Sequence, residues 1–251
     1  MTRVVRQWLG SIFFTLCLFV SVPFYGTVAL LAAPLRRPWT YGVAVAWVDS
    51  MFWLLRRLCG LDYRVEGLEH LPKRSSIVLM KHSSAWETLA QIKIFPRQTW
   101  VLKRELLWAP VLGWVLLLLK PIAIDRHAGR SAVQQVIEQG RRRLEEGLWV
   151  IIFPEGTRVA VGQTRRYGLS GALLAAASGR PVVPVAHNAG HFWPRRGVLK
   201  RRGLIRVVIG APIPTVGRDP RAVNADVEAF IETTLRAIAP SGASTQARSG
   251  G

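Results

Sequence analysis

The sequence predicts an α/β domain with a mixed sheet flanked by helices, preceded by a membrane-embedded helical element. Three observations support this fold class. The chain has 251 residues, which suits one domain with a short appendage. Its N-terminal part contains a long run without charge. The remainder alternates short, continuously apolar segments with amphipathic ones, as expected for strands that helices cover on both faces.

The N-terminal run carries no charged residue from Trp8 to Ala33, and about 20 apolar residues suffice to cross a bilayer. Arginines flank both ends, although positive charge normally stays on one side of a spanning helix. Pro23 divides the run into two segments too short to span. We therefore favour helices embedded from the cytoplasmic face, arranged as a hairpin, over a single span. A cleaved signal peptide is disfavoured, since its apolar stretch is only about 7–15 residues. The predicted anchor covers residues 1–58.

The predicted strands follow from residue 61 onward. They are the apolar segments Ile77–Met80, Trp100–Leu102, Ile122–Ile124, Leu148–Phe153, Val182–Ala186 and Ile205–Ile209.

The predicted helices lie between and after these strands. One begins at an N-cap, Ser131, and others cover Gly168–Ser178 and Arg221–Ala239. The apolar segment Leu106–Leu119 is too short to span a membrane and predicts a buried helix. The main domain would cover residues 59–239. The Ser/Gly-rich tail, 240–251, is expected to be disordered.

The charge balance is strongly basic, with 34 Lys and Arg against 15 Asp and Glu, a net charge of +19. Such a surplus suits any polyanion. Basic residues next to aromatic Phe192 and Trp193 favour the interface of an anionic membrane over nucleic acid. This basic zone consists of Arg195, Arg196, Lys200, Arg201, Arg202 and Arg206.

The sequence offers little support for metal or nucleotide chemistry. Its two cysteines form neither a disulfide framework nor a zinc spacing, and it contains no glycine-rich nucleotide fingerprint. His187 and His191 are four residues apart but lack further ligands nearby, so no metal site is predicted.

The segment from Lys81 to Glu87 offers a general base and a carboxylate. A strand over Ile77–Met80 would deliver His82 to its carboxyl end, where active sites of α/β proteins usually lie. Residues five apart do not share a face of an ideal helix. His82 and Glu87 can therefore meet only if His82 precedes the helix. His82 would then accept a proton from a hydroxyl group, and Glu87 would fix its tautomer.

A purely structural interpretation of the same segment is a capping box. Ser84 would be the N-cap, and Glu87 would accept a hydrogen bond from its backbone N–H. One carboxylate is not expected to serve both the cap and the histidine fully. Glu87 is therefore the weaker of the two catalytic assignments.

The segment Phe153–Arg158 indicates an anion site. Pro154 should end the preceding strand because it lacks an N–H. Gly156 lets the backbone approach a ligand closely, and Arg158 can grip a phosphate through two hydrogen bonds. Glu155 would orient Arg158 or bind a hydroxyl. An ordinary surface turn is the alternative.

Two further cations follow predicted strands. Lys103 follows Trp100–Leu102, and Arg126 lies two residues beyond Ile124. With Arg158, three cations are expected at one edge of the sheet.

Together these motifs resemble those of the bacterial 1-acyl-sn-glycerol-3-phosphate (lysophosphatidic acid) acyltransferases of the glycerolipid acyltransferase superfamily. The first family block, H-x4-D, is similar to His82 with Glu87, where glutamate replaces aspartate. The second is similar to Lys103–Leu106 through Pro121–Arg126, and the third, F-P-E-G-T-R, to residues 153–158. An apolar-proline block is similar to Val182–Val185. Order and spacing agree over residues 75–190.

The resemblance implies transfer of a fatty acyl group from acyl-ACP (acyl carrier protein) or acyl-CoA to the sn-2 hydroxyl of lysophosphatidic acid, giving phosphatidic acid. It implies catalysis by His82 and Glu87. The implied substrate-binding residues are Lys103, Arg126, Glu155, Gly156, Thr157 and Arg158, and the implied acyl-pocket residues are Val183, Pro184 and Val185.

The resemblance also implies a location and partners. The protein is expected in the bacterial inner membrane with its catalytic domain facing the cytoplasm. Its expected partners are membrane phospholipid and the acyl carrier protein or CoA thioester, without nucleic acid, metal or a resident cofactor. The segment Leu106–Leu119 would then have a second interpretation, as a wall for an acyl chain.

Two alternatives stay open. The first is an acyltransferase for another lysolipid, such as a lyso-ornithine lipid, although a neutral acceptor would leave three strand-end cations without a role. The second is a basic lipid- or nucleic-acid-binding protein without catalysis. Charge alone specifies only a polyanion, and this second alternative does not explain the motifs.

Overall fold

The computed structural model describes residues 2–34, 37–125 and 128–240. Its centre is a seven-stranded sheet in the order β1-β7-β6-β2-β5-β3-β4. The strands are β1 Leu61–Glu66, β2 Ile77–Met80, β3 Gln98–Lys103, β4 Ile122–Ile124, β5 Trp149–Ile152, β6 Val182–His187 and β7 Gly203–Ile209.

The sheet is mixed, as predicted. Strands β6, β2, β5, β3 and β4 are parallel to one another, whereas β7 pairs antiparallel with β6 and parallel with β1. All six predicted strands are present, but β1 was not predicted. Its apolar residues alternate with Asp62, Arg64 and Glu66, because it is an edge strand that is only partly buried.

The helices are α1 Arg3–Ala32, α2 Arg37–Leu54, α3 Trp86–Ile94, α4 Leu112–Leu118, α5 Arg130–Glu145, α6 Ser170–Ser178, α7 Ala189–Phe192 and α8 Pro220–Ala237. A π-helical turn, Leu55–Cys59, continues α2 into β1. The predicted N-cap Ser131 is wrong by two residues, because α5 follows Gly129.

Side chains of the central strands alternate between two hydrophobic clusters, one on each face of the sheet. The first cluster includes Met80 and Ile151 and lies under α1, α2 and α3. The second includes Leu79 and Ile152 and lies under α5, α6 and α8. The anchor boundary at residue 58 stays a prediction, but Phe14 of α1 shares the first cluster with the strands.

The prediction that Pro23 divides the N-terminal run is wrong. Pro23 lies inside α1, which continues for 30 residues and is long and apolar enough to cross a membrane. A proline removes one N–H from a helix, but neighbouring helices can compensate for this loss, and α2 packs along α1. The helices α1 and α2 pack against each other as a helical pair, and their embedding in a membrane stays a prediction.

Polar residues of α1 attach it to the catalytic half of the chain. Gln7, Ser11 and Thr15 lie four residues apart, so they share one face of α1. All three bond to Lys200: Gln7 donates to its carbonyl, Ser11 accepts from its N–H at 2.9 Å, and Thr15 accepts from its ammonium group.

The segment Leu106–Leu119 is not the buried helix that we predicted. It forms a 3-10 turn, Arg104–Trp108, followed by the short helix α4. Trp108 is 74% exposed and Trp114 55%. The chain here lies at the surface, with its other side against a cavity that leads to His82.

Candidate active site

His82 lies directly after β2, at the carboxyl end of the parallel strands. Its main chain is held on both sides by the segment that follows β5. The His82 N–H donates to Glu155 Oε2 at 2.8 Å, and the His82 carbonyl accepts from the Val159 N–H at 2.8 Å. His82 and Glu155, 73 residues apart in sequence, are thereby fixed to each other at the histidine backbone.

The His82 ring is oriented by two contacts. Nδ1 lies 2.9 Å from Glu87 Oε1, and the ring stacks on Phe153 with centroids 4.1 Å apart and planes 20° apart. An ionised Glu87 accepts a hydrogen bond from Nδ1–H, and this tautomer leaves the lone pair on Nε2. The His82 side chain is 14% exposed. Nε2 is therefore the ring nitrogen that can act as a base.

Glu87 serves the helix and the histidine at once, so the expectation that one carboxylate would not serve both is wrong. Its Oε1 atom accepts from the N–H groups of Ser83 at 2.9 Å and Ser84 at 2.8 Å, and also contacts His82 Nδ1. The Ser84 hydroxyl accepts from the N–H of Trp86, the first residue of α3. The hydrogen bonds from the Ser83 and Ser84 N–H groups therefore fix the Glu87 carboxylate, which in turn orients the His82 ring.

His187, at the end of β6, lies behind Glu87 and was not predicted to belong to the site. Its Nε2 lies 2.8 Å from the Lys81 carbonyl and 3.8 Å from Glu87 Oε2, and both side chains are fully buried. Burial lowers the pKa of His187, against the effect of Glu87. Burial raises the pKa of Glu87. The interaction with His187, the His82 hydrogen bond and the Ser84 N–H outweigh it, so the Glu87 pKa lies below its ordinary value.

A buried ion network supports the same loop. Lys81 Nζ lies 2.8 Å from Glu155 Oε1 and 2.9 Å from Glu232 Oε1 of α8, and the Tyr167 hydroxyl also bonds Glu232. Burial lowers the pKa of Lys81, but the two carboxylates raise it by more. Burial raises the pKa of Glu155, against the effect of Lys81. One ammonium group is shared between two carboxylates. Lys81 therefore has two anionic partners, which raise its pKa, whereas Glu155 shares its one cation with Glu232, so burial still raises the pKa of Glu155.

A large cavity of about 710 Å³ opens from His82. We call it the large cavity. Its walls are mainly apolar and come from α1, α2, α3 and α4, including Val22, Tyr25, Ala29, Trp47, Leu89, Ile92, Val115, Leu116 and Leu119. A cavity of this size and lining suits a fatty acyl chain.

Cationic and polar residues also line the large cavity. Three of them were predicted as binding residues: Lys103, Thr157 and Arg158. Arg195 and Arg196 join them, although the sequence indicated only a membrane-facing basic zone there. Arg126 lies outside the described residues. Phosphate recognition by these residues stays a prediction.

The other two residues of the predicted binding segment lie differently. Gly156 has φ 67°, and a Cβ built on it would have nothing within 4 Å. A left-handed conformation of this kind favours glycine and leaves open space over the backbone. The Glu155 side chain is fully buried against Lys81 and the His82 N–H. In this position Glu155 can hold the backbone of His82 in place.

The residues assigned to the acyl pocket lie elsewhere. Val183, Pro184 and Val185 are in β6, between β2 and β7, and both valines are fully buried in the first hydrophobic cluster. They do not line the large cavity. The apolar-proline pattern marks a central strand, whereas the cavity is built from helices far apart in sequence, so an acyl-pocket role of these three residues stays a prediction.

Comparisons with known proteins identify the family of this chain. Residues 62–188 match the family model described as acyltransferase. The 1-acyl-sn-glycerol-3-phosphate acyltransferase of Pseudomonas aeruginosa is 42% identical over 240 residues, 93% of each chain. The human alpha form is 30% identical over 78% of this chain and 70% of its own.

A crystal structure shows the same fold. The 1-acyl-sn-glycerophosphate acyltransferase of Thermotoga maritima superposes with a TM-score of 0.79 over 95% of this chain and 100% of that chain, at 22% sequence identity. The family match covers the strands and loops that carry His82, Glu87 and Arg158. As its motifs predicted, this chain belongs to the acyltransferase family.

Proposed function

We propose that this protein transfers a fatty acyl group from a thioester to the sn-2 hydroxyl of lysophosphatidic acid, giving phosphatidic acid. The observation that carries the proposal is the His82–Glu87 pair at an apolar cavity that is also lined by cations. The names of the relatives at 42% and 30% identity specify the same reaction for those proteins.

The chemistry follows from the geometry of the pair. His82 Nε2 takes the proton of the acceptor hydroxyl while that oxygen forms a bond to the thioester carbonyl carbon. Glu87 stabilises the imidazolium that results. The carbon–sulfur bond then breaks, and the imidazolium returns its proton to the leaving thiolate. No serine or cysteine nucleophile is needed, because the thioester is already activated.

The acceptor is an anion, and the cations along the large cavity suit its phosphate. Lys103, Arg158, Arg195 and Arg196 can offer charge-assisted hydrogen bonds to phosphate oxygens, and arginine can do so through two parallel bonds. The acyl chain that is transferred occupies the apolar part of the large cavity. A neutral acceptor would leave the cationic lining of the large cavity without a role in its recognition.

The surface next to the large cavity suits a membrane. Apolar side chains of α1 and α4 are exposed, among them Phe13 at 53%, Phe24 at 65% and Trp114 at 55%. Buried in the acyl region of one leaflet, these helices would bring lipid acceptors to the cavity. We propose that the chain acts at the cytoplasmic face of a bacterial inner membrane, where acyl carrier protein and CoA thioesters are found.

The test is thiol release from a hexadecanoyl thioester by the detergent-solubilised protein, with and without lysophosphatidic acid. Release that depends on the acceptor, with phosphatidic acid as product, is expected for the wild type. Arg158→Gln is expected to raise the KM for lysophosphatidic acid about tenfold or more, with a smaller effect on kcat. Acceptor-dependent release with a neutral lysolipid alone would contradict the proposed acceptor.

A further inference from the structure

A second cavity meets His82 from the other side. This small cavity measures about 310 Å³ and includes His82, Val101, Ile152, Gly156, Arg165 and Ser170 in its lining. Ser170 is the first residue of α6, and Arg165 lies in the loop before it. The reaction geometry described above uses only the large cavity and leaves this one without an occupant.

The two cavities lie on opposite faces of the sheet. The large cavity is bounded by Leu89 and Ile92 of the first hydrophobic cluster. The small cavity is bounded by Val136 and Ile152 of the second cluster. His82 stands at the carboxyl edge of the sheet and lines both. A substrate whose reacting atom lies at His82 can therefore extend along both faces at once.

A thioester donor has the shape that this arrangement requires. Its carbonyl carbon carries the acyl chain on one side and, on the other, the sulfur of a pantetheine arm that ends in a phosphate. If the acyl chain occupies the apolar large cavity, the arm must leave His82 in another direction. The small cavity offers that direction.

The lining of the small cavity suits such an arm. The absence of a Cβ at Gly156 leaves space in the lining, and the Ser170 hydroxyl can bond an amide of the arm. Arg165 and Arg166 are exposed, and within the described part of the chain neither has a carboxylate partner at salt-bridge distance. Two arginines at this position can bind the terminal phosphate.

We propose that the small cavity binds the phosphopantetheine arm of the acyl donor, with Ser170 beside the arm and Arg165 and Arg166 on its phosphate. This inference rests on the proposed thioester chemistry and adds where the leaving group lies. The same arm occurs in CoA and on acyl carrier protein, so the site is expected to take either source. Contacts beyond the phosphate then decide between the two.

The first experiment measures whether the two arginines recognise the phosphate. Hexadecanoyl pantetheine and hexadecanoyl phosphopantetheine are compared as donors for the wild type and for Arg165→Gln/Arg166→Gln. The wild type is expected to prefer the phosphorylated donor by about tenfold to hundredfold in kcat/KM, and the variant is expected to lose that preference. The KM for lysophosphatidic acid stays unchanged. Acyl-CoA and acyl carrier protein donors are run in parallel to identify the source.

A matched control variant loses the same two positive charges at a different place on the surface. Arg141→Gln/Arg142→Gln removes two exposed arginines from α5 that line neither cavity. It is expected to keep the preference for the phosphorylated donor. Equal losses in the two double variants would overturn the proposal, since they would show a general effect of net charge.

The second experiment measures occupancy without turnover. Ser170→Cys and Leu116→Cys, each in a Cys17→Ser background, place a thiol in the small and the large cavity. S-methyl phosphopantetheine is expected to slow maleimide labelling of Ser170→Cys at least fivefold and to leave Leu116→Cys unchanged.

Labelling of Ser170→Cys that the arm does not slow would overturn the site, even if acyl transfer to lysophosphatidic acid is active. Absence of transfer with every donor, together with protection of Ser170→Cys, would contradict the proposed function and leave the binding site standing. The two failures are therefore distinguishable.

Discussion

The chain buries two lysines at opposite ends of the catalytic half and treats them differently. Lys81 is 4% exposed and lies between the carboxylates of Glu155 and Glu232, and its pKa is raised. Lys200 is 2% exposed, and within the described residues its ammonium group bonds two uncharged groups, the Thr15 hydroxyl and the Val198 carbonyl at 2.8 Å. Its ammonium group also lies over the rings of Phe14 and Trp193. Burial lowers its pKa to about 8.

The difference reflects what each region must do. The loop around His82 has to hold a base, a carboxylate and an anion site in a fixed geometry, and paired buried charges provide fixed, directional contacts. The attachment of α1 needs only to hold a helix against the domain. Hydrogen bonds and cation–π contacts suffice there, although they compensate the ammonium group less well.

The largest effect is expected at the base. His82→Ala should lower acceptor-dependent acyl transfer about 10³-fold, because general acid–base catalysis typically contributes 10²–10⁴-fold. His191→Ala is the control, since His191 is partly exposed and lines a different cavity. Thiol release measures both. Activity of His82→Ala within tenfold of the wild type would remove His82 from the mechanism.

The ion network should give the largest loss of stability. Lys81→Met leaves the buried Glu155 carboxylate unpaired and is expected to lower the free energy of unfolding by about 3–5 kcal/mol. Lys120→Met breaks the partly exposed pair with Glu146 and should cost about 0–1 kcal/mol. Denaturant unfolding in detergent measures both. Similar losses would show that burial does not distinguish the two pairs.

The acyl-chain preference should respond to the helices and not to β6. Ala29→Phe, in the large cavity, is expected to lower the ratio of hexadecanoyl to dodecanoyl transfer about tenfold, since each lost methylene contact is worth about 0.8 kcal/mol. Val183→Ala should reduce stability and leave this ratio unchanged. Ala225→Phe, at an exposed site on α8, controls for the added ring. A changed ratio of hexadecanoyl to dodecanoyl transfer in Val183→Ala would support the predicted acyl-pocket role of Val183.

A pH dependence of stability is expected at Lys200. The pKa of Lys200 is about 8 in the folded protein and close to 10.4 when unfolded. Between these values the unfolded chain binds more protons, so the free energy of unfolding should rise with pH. This contribution is fully present above the unfolded pKa and is lost as pH falls through about 8. Thermal midpoints from pH 7.5 to 10.5 should show the rise, and Lys200→Met should lack it.

The sequence predicted the catalytic region better than the rest. Ile77–Met80 and Ile122–Ile124 were predicted with their observed bounds, because strands of a parallel sheet are continuously apolar. Helix geometry predicted that His82 and Glu87 can meet only if His82 precedes the helix, and His82 does lie before α3. Local signals suffice where partners lie within one or two turns of each other.

Two of the predictions that failed depend on contacts between distant segments. Pro23 does not end α1, and Leu106–Leu119 is not a buried helix. In each case the prediction used a local sequence pattern, whereas packing against another element determines the structure at that position. No short-range signal marks His187 as the residue behind Glu87, since 100 residues separate them.

The sequence by itself determined six of the seven strands, the juxtaposed side chains of His82 and Glu87, and the family, because these depend on residue types at short spacings. Only the tertiary structure decided that Glu155 and Val159 hold the backbone of His82, that four helices enclose the large cavity, and that two cavities meet at one histidine. Cavities and buried ion pairs arise when the chain brings distant surfaces together. The free energy that fixes them depends on burial, which a sequence pattern does not specify.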